Sequence, residues 1–119
     1  MLFYSNDVLG ETAPCGCQAN QLGGLPKKAF QFETIAEKEG ALPRLTLDAG
    51  NLLFKHDHIA PGQKEEAEMT AAAIVKAYNL MGYDAVGIGS RDLIAGLPPL
   101  LSLQHKAKFA WLSANLVAK

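Results

Sequence analysis

Three clusters in this chain hold residue types that could do chemistry. Cys15 and Cys17 stand one residue apart in "PCGC". With a nearby histidine such a thiolate pair could bind one soft metal. A bond between such near neighbours would be strained and redox-labile rather than structural. "GIGSRD" puts Arg91 and Asp92 after a strand-like run. A guanidinium there can grip a phosphate or carboxylate, and the same two residues also suit an ion pair or a contact that orders the loop. "KHDH" supplies His56 and His58, a spacing as common in solvated loops as in metal sites. Bland readings stand beside the others too. Asp7 suits a loop cap, Gly50 and Asn51 a turn, and His105 the end of a helix, where its charge would complement the dipole.

Composition narrows what these clusters can serve. The chain has 119 residues, 49% apolar and 19% charged, with a net charge of -1. Such values fit one globular domain, or part of one, and argue against disorder. The charge balance gives no electrostatic case for nucleic acid or an acidic membrane surface. No apolar run approaches the roughly 18 residues of a membrane span. No basic segment followed by an apolar core marks an export signal, and a removed signal would leave the same picture. Two cysteines make neither a disulfide framework nor a complete zinc cage.

The elements that must position these residues alternate. "LFYS" (Leu2 to Ser5) reads as a buried strand. Pro26 opens a helix that carries Ala29, Phe32, Ile35 and Ala36 on one face and stops at Gly40. "RLTLDAG" (Arg44 to Gly50) is a second strand. "KEEAEMTAAAIVKAYNLMG" is the strongest helix, with acids in its first turn and Gly82 at its end. Its expected inner face is Met69, Ala73, Ala77 and Leu80. "DAVGIG" is a third strand, "GLPPLLSLQHKA" a third helix and "FAWLSANLV" a fourth strand. The expected fold class is therefore α/β, with four mainly parallel strands alternating with three helices and right-handed crossovers between them. Sites in such sheets form at the carboxyl ends of the strands, which here read "SND", "LDAGN", "GIGSRD" and "LSANL". "GIGSRDLIAG" has the first two glycines of a dinucleotide fingerprint but lacks the third at the proper spacing. Three helices cannot readily cover both faces of a four-stranded parallel sheet. A larger fold with a missing C-terminal half, or a homo-oligomer, would cover the open face.

The strand ends, taken as a series, resemble the N-terminal part of the 5'-nucleotidase family of calcineurin-like metallophosphoesterases. Members read T-N-D-x-H-G, then G-D after strand two, then G-N-H-[DE], then A-N. "SNDVLG", "LDAGN", "GIGSRD" and "LSANL" follow that order over essentially the whole chain. The "PCGC" insert resembles a branch found in exported or envelope-associated forms. The resemblance implies residues 1–119 as a single, partial metallophosphoesterase-like domain, the first half of an α/β sandwich. It implies a nucleotide or other phosphoester ligand, divalent cations of the Mn, Mg or Zn type, and a periplasmic or exported location.

Carried over residue by residue, the resemblance places Asp7, Asn51 and Ser90 at metal positions and Arg91 and Asp92 at the catalytic motif. The departures fall at the ligands. Leu9 stands at the first histidine, Asn51 at the bridging carboxylate, Ser90 at the metal-binding asparagine and Arg91 at the catalytic histidine. Two hard cations held close together need carboxylates to offset their charge. The expectation is a phosphoester hydrolase of the 5'-nucleotidase type that is inactive or incomplete as given. The alternative expectation is a non-catalytic binding or redox module built on Cys15 and Cys17.

Overall fold

The computed structural model describes residues 1–14, 23–40 and 42–117. Strand β1 (Leu2–Ser5) is followed by helix α1 (Leu25–Glu39). Strand β2 (Leu45–Asp48), helix α2 (Lys64–Met81) and strand β3 (Ala85–Gly87) follow. A short 3-10 turn (Ser90–Leu93), helix α3 (Leu97–Lys106) and strand β4 (Ala110–Leu112) complete the order. The four strands form one sheet in the order β1-β2-β3-β4, and every neighbouring pair is parallel. The α/β class and the alternation expected from the sequence are what the fold has. The second, third and fourth strands are shorter than their apolar runs, because the residues past Asp48, Gly87 and Leu112 turn away into the loops.

The sheet advances one strand at a time, so right-handed crossovers put all three helices on one face. That face buries Phe3, Thr46 and Val86, alternate residues of β1, β2 and β3. Val86 shares one core cluster with Ile74, Val75 and Tyr78 of α2 and Leu100 and Leu103 of α3. Full burial of each large apolar side chain contributes about 1.5–3 kcal/mol. Helix α1 is held more lightly. Its buried residue is Leu25, while Phe32 stacks on Phe3 with ring centroids 4.5 Å apart. Ile35, expected inside, is 40% exposed.

Helix α2 starts and ends where the sequence puts it. Glu65 and Glu66 sit in its first turn, and Gly82 takes the left-handed conformation (φ 73°) and returns its N–H to the Tyr78 carbonyl. Its inner face differs from expectation. Ala71, Ile74, Val75 and Tyr78 face the sheet, whereas Met69 and Leu80 are 68% and 82% exposed. The helix carries apolar residues on two sides, and the i, i+3, i+4, i+7 stripe that ends in a tyrosine wins. Tyr78 wins because it stacks on Tyr83 at 3.8 Å and its hydroxyl meets a buried acceptor, Asp48.

Candidate functional site

Three loops meet at the carboxyl edge of the sheet: the β1–α1 loop, the β2–α2 loop and the turn after β3. Asp7, Leu9 and Asn51 are non-glycine residues in left-handed backbone conformation, with φ of 50°, 54° and 54°. Such residues are uncommon and persist where surrounding bonds hold them. Those bonds are present. The N–H groups of Asp7, Leu9 and Gly10 donate to the carbonyls of Gly50, Asn51 and Leu52, zipping the first loop onto the second.

Asn51 is the junction. Its side-chain amide donates to Asp7 Oδ1 at 3.0 Å, and its Oδ1 accepts the Arg91 N–H at 3.2 Å. Asp7 Oδ2 also accepts from Asn6 Nδ2 at 3.1 Å. Three of the residues picked from the sequence, Asp7, Asn51 and Arg91, are thus brought together. Ser90 is exposed at the start of the 3-10 turn.

Asp92 lies behind them, only 1% exposed. Its Oδ2 accepts from the N–H groups of Gly89 and Asn51, and its Oδ1 from those of Leu52 and Leu53, all at 2.8–2.9 Å. One carboxylate thereby fixes both the β2–α2 loop and the end of β3. Burial pushes the Asp92 carboxyl above its ordinary value, against the four N–H donors that pull it down. Gly87 and Gly89 belong to the same packing. A Cβ on Gly87 would meet the Ala49 carbonyl oxygen at 2.8 Å, and one on Gly89 would collide with the Asn51 amide. Close backbone approach accounts for the glycine pair that suggested a dinucleotide fingerprint.

Arg91 reaches past the junction and donates to the Lys55 carbonyl. Nearby, His58 Nδ1 lies 2.8 Å from Asp57 Oδ1 in an exposed pair. The His58 imidazole, and more weakly Arg91, hold the Asp57 carboxyl below its ordinary value. His56 and His58 are solvent-exposed residues beside a cleft of about 290 Å³ that Glu66 also lines. His105 sits in the last turn of α3. Cys15 and Cys17 lie outside the described residues.

A second polar group escaped the sequence reading. Asp48, at the end of β2, is 4% exposed and accepts hydrogen bonds from Ser5 Oγ, from Tyr78 Oη at 2.8 Å and from Gly50 N at 2.9 Å. Lys28 Nζ in turn donates to Tyr78 Oη at 3.0 Å and lies over the Tyr78 and Tyr83 rings. Burial first, then the Asp48 charge, pushes the Tyr78 hydroxyl far above its ordinary value. Ser5 and Lys28 open onto a cleft of about 470 Å³ that Asp7 and Glu11 also border. A signal was available: Asp48 shares the inward face of β2 with Thr46, and an inward acid needs a buried partner.

This strand-ordered edge can be set against known structures. Over 99% of its length the chain superposes on the NAD nucleotidase of Haemophilus influenzae, with a TM-score of 0.76 and 20% identity. Over 96% it matches a 5'-nucleotidase precursor from Thermus thermophilus (TM-score 0.71, 22% identity). Over 93% it matches the calcineurin-like phosphoesterase YfkN of Bacillus subtilis (TM-score 0.69, 17% identity). The chain carries the opening part of a calcineurin-like phosphoesterase fold. It spans 21%, 22% and 35% of those three chains. No protein-family model matches the sequence, and no curated protein matches it.

The donor set at the edge does not suit a pair of divalent cations. Asp7 is the one carboxylate in the Asp7–Asn51–Arg91 junction, and both its oxygens already accept amide N–H groups. The Asn51 oxygen faces a backbone N–H, Leu9 offers no donor atom, and Arg91 adds positive charge where cations would need the opposite. Among the described residues no group of three or more His, Cys, Asp or Glu side chains is arranged to hold a metal. No helix among them is long and apolar enough to cross a membrane.

Proposed function

We propose that this chain is a phosphoester-hydrolase-like unit that does not turn over phosphoesters by two-metal chemistry. The observation that carries this reading is the Asn51 amide, which bridges Asp7 and the Arg91 backbone where that chemistry would need a shared carboxylate. In a working centre the cations polarise the phosphate and generate hydroxide from water. Here Asp7, Asn51 and Ser90 occupy the positions the resemblance gives to metal ligands, and Arg91 and Asp92 those of the catalytic motif. Asn51 is neutral, and Asp92 spends its carboxylate on the backbone. The ligand class this fold supports is a nucleotide or another phosphoester, with Arg91 as the group to meet its charge. An exported location follows from the same resemblance.

The test is an assay of the purified chain with Mn²⁺ or Mg²⁺ on AMP and on bis-p-nitrophenyl phosphate. Release of phosphate or nitrophenol should not exceed that in buffer. Turnover that depends on metal and disappears in Asp7→Ala would overturn the reading.

A further inference from the structure

Lys28, on helix α1, is half-buried and carries a charge with which no carboxylate among the described residues forms an ion pair. Its Nζ donates to Tyr78 Oη at 3.0 Å and lies 5.1 Å and 5.5 Å from the Tyr78 and Tyr83 ring centroids. Tyr78 Oη gives its own proton to Asp48 at 2.8 Å, which leaves a lone pair to receive Lys28. An ammonium has three N–H donors, and this bond uses one. The rings and the phenol oxygen hold the group in place, and the cleft of about 470 Å³ that it lines has room for a further acceptor. Cavities of roughly 300–1,000 Å³ take small organic ligands. Helix α1 gives this cleft two cations, Lys27 and Lys28, and the β1–α1 loop gives it two acids, Asp7 and Glu11. Glu11 is paired with Lys55 at 2.6 Å. The Asp7 carboxylate meets only the neutral amides of Asn6 and Asn51 among the described residues, and these leave its charge uncancelled.

We propose that this cleft binds a small zwitterion of the amino-acid class, its carboxylate on Lys28 and its ammonium on Asp7. The charge pattern selects that ligand. Phosphate or another dianion would gain Lys28 but would also face Asp7 and Glu11. A simple amine would meet the reverse conflict with Lys27 and Lys28. A molecule with one charge of each sign satisfies both, and charge-assisted hydrogen bonds at its two ends fix its direction. Each Asp7 oxygen accepts one amide and keeps a second lone pair, enough for an ammonium. A divalent cation asks for more negative charge than one carboxylate brings. Val8 and Leu25 also line the cleft, and their apolar surface suits an apolar side chain on the ligand. Lys28 is already held by Tyr78 and the rings, so little of its freedom remains to be lost on binding. The proposal does not rest on the phosphoester reading, because neither a metal nor Arg91 enters it.

Isothermal titration calorimetry of the 119-residue chain with leucine, methionine and phenylalanine tests it. At least one should bind at one per chain. For leucine, the analogues with a single charge, isocaproate and isoamylamine, should each bind roughly tenfold more weakly or worse. Lys28→Gln and Asp7→Asn should each weaken binding by a similar factor with an unchanged far-ultraviolet circular dichroism spectrum. Asparagine tolerates the left-handed backbone that Asp7 adopts, so Asp7→Asn carries the test if Lys28→Gln fails to fold. Lys64→Gln, outside the cleft, should leave binding unchanged. No binding of any of the three up to about 10 mM, well beyond the millimolar range of weak ligands, would overturn the proposal. So would isocaproate or inorganic phosphate binding as tightly as the amino acid, or binding indifferent to both cleft variants. Metal-dependent turnover of AMP would leave every one of these results standing, so the two readings fail separately.

Discussion

Asp92 and Asp48 are both buried carboxylates at the carboxyl edge of one sheet, and they do different work. Asp92 is satisfied by four backbone N–H groups from two loops. Asp48 is satisfied mainly by side chains, Ser5 from β1 and Tyr78 from α2, with Lys28 of α1 one bond further out. The first holds the chain in a conformation; the second ties layers together. The difference teaches where each is vulnerable. Backbone donors cannot move to a new acceptor, whereas hydroxyl and ammonium donors can rotate toward water. Loss of Asp92 should therefore cost more.

The largest expected effect is that of Asp92→Ala. Four N–H donors in the loops would lose their acceptor at about 1 kcal/mol each, a total of roughly 3–4 kcal/mol in urea unfolding. Hydrogen exchange gives the sharper measurement. The amides of Gly89, Asn51, Leu52 and Leu53 should lose protection together, while Val75 in α2 is spared until global unfolding. If those four amides keep their protection, Asp92 is not the pin.

Tyr78→Phe should cost less, about 1–1.5 kcal/mol, because it removes one hydroxyl and leaves the ring stacked on Tyr83. Its effect should add with Asp92→Ala within about 0.5 kcal/mol, as expected for separate networks. A strongly non-additive double variant would merge the two regions and break the comparison.

How far the sequence carried this picture depends on which partners are local. The bounds of α2 were legible because its acidic first turn and its Gly82 cap are local to the helix. Its inner face was not, because the choice between the Met69/Leu80 side and the Ile74/Tyr78 side rests on a hydroxyl acceptor 30 residues away. The turn at Gly50–Asn51 was legible from residue type, and its φ values of 108° and 54° bear that out. The role of Asp92 was legible only as a loop-ordering alternative, since three of its four partners are backbone groups about 40 residues upstream. The open sheet face could be counted from three helices and four strands, and among the described residues Leu2, Tyr4, Leu45 and Leu112 stand exposed on it.

Asn51→Asp probes the contact between the pin and the exposed edge. A carboxylate there would face Asp7 Oδ1 across the present 3.0 Å hydrogen bond. Like charges at an exposed site should lower stability by about 0.5–1 kcal/mol. Added Mn²⁺ should restore that loss in the variant and leave the wild type unmoved, read as a shift in melting temperature. Equal Mn²⁺ shifts in both proteins would show that the amide is not what bars the cation.

The smallest effect is that of pH, and it belongs to Asp92. Burial raises the folded-state pKa of Asp92 above its unfolded value. Just above the ordinary carboxylate range the folded chain therefore binds more protons than the unfolded chain. Stability must then fall as pH rises through that window, because its slope with pH follows unfolded minus folded protons bound. Asp92→Asn cannot ionise and should lose this component of the slope, whereas Tyr78→Phe should retain it. Urea unfolding of the three proteins at pH steps through the window would measure this. An unchanged slope in Asp92→Asn would mean that the four N–H donors outweigh burial, and that Asp92 is held as a carboxylate throughout.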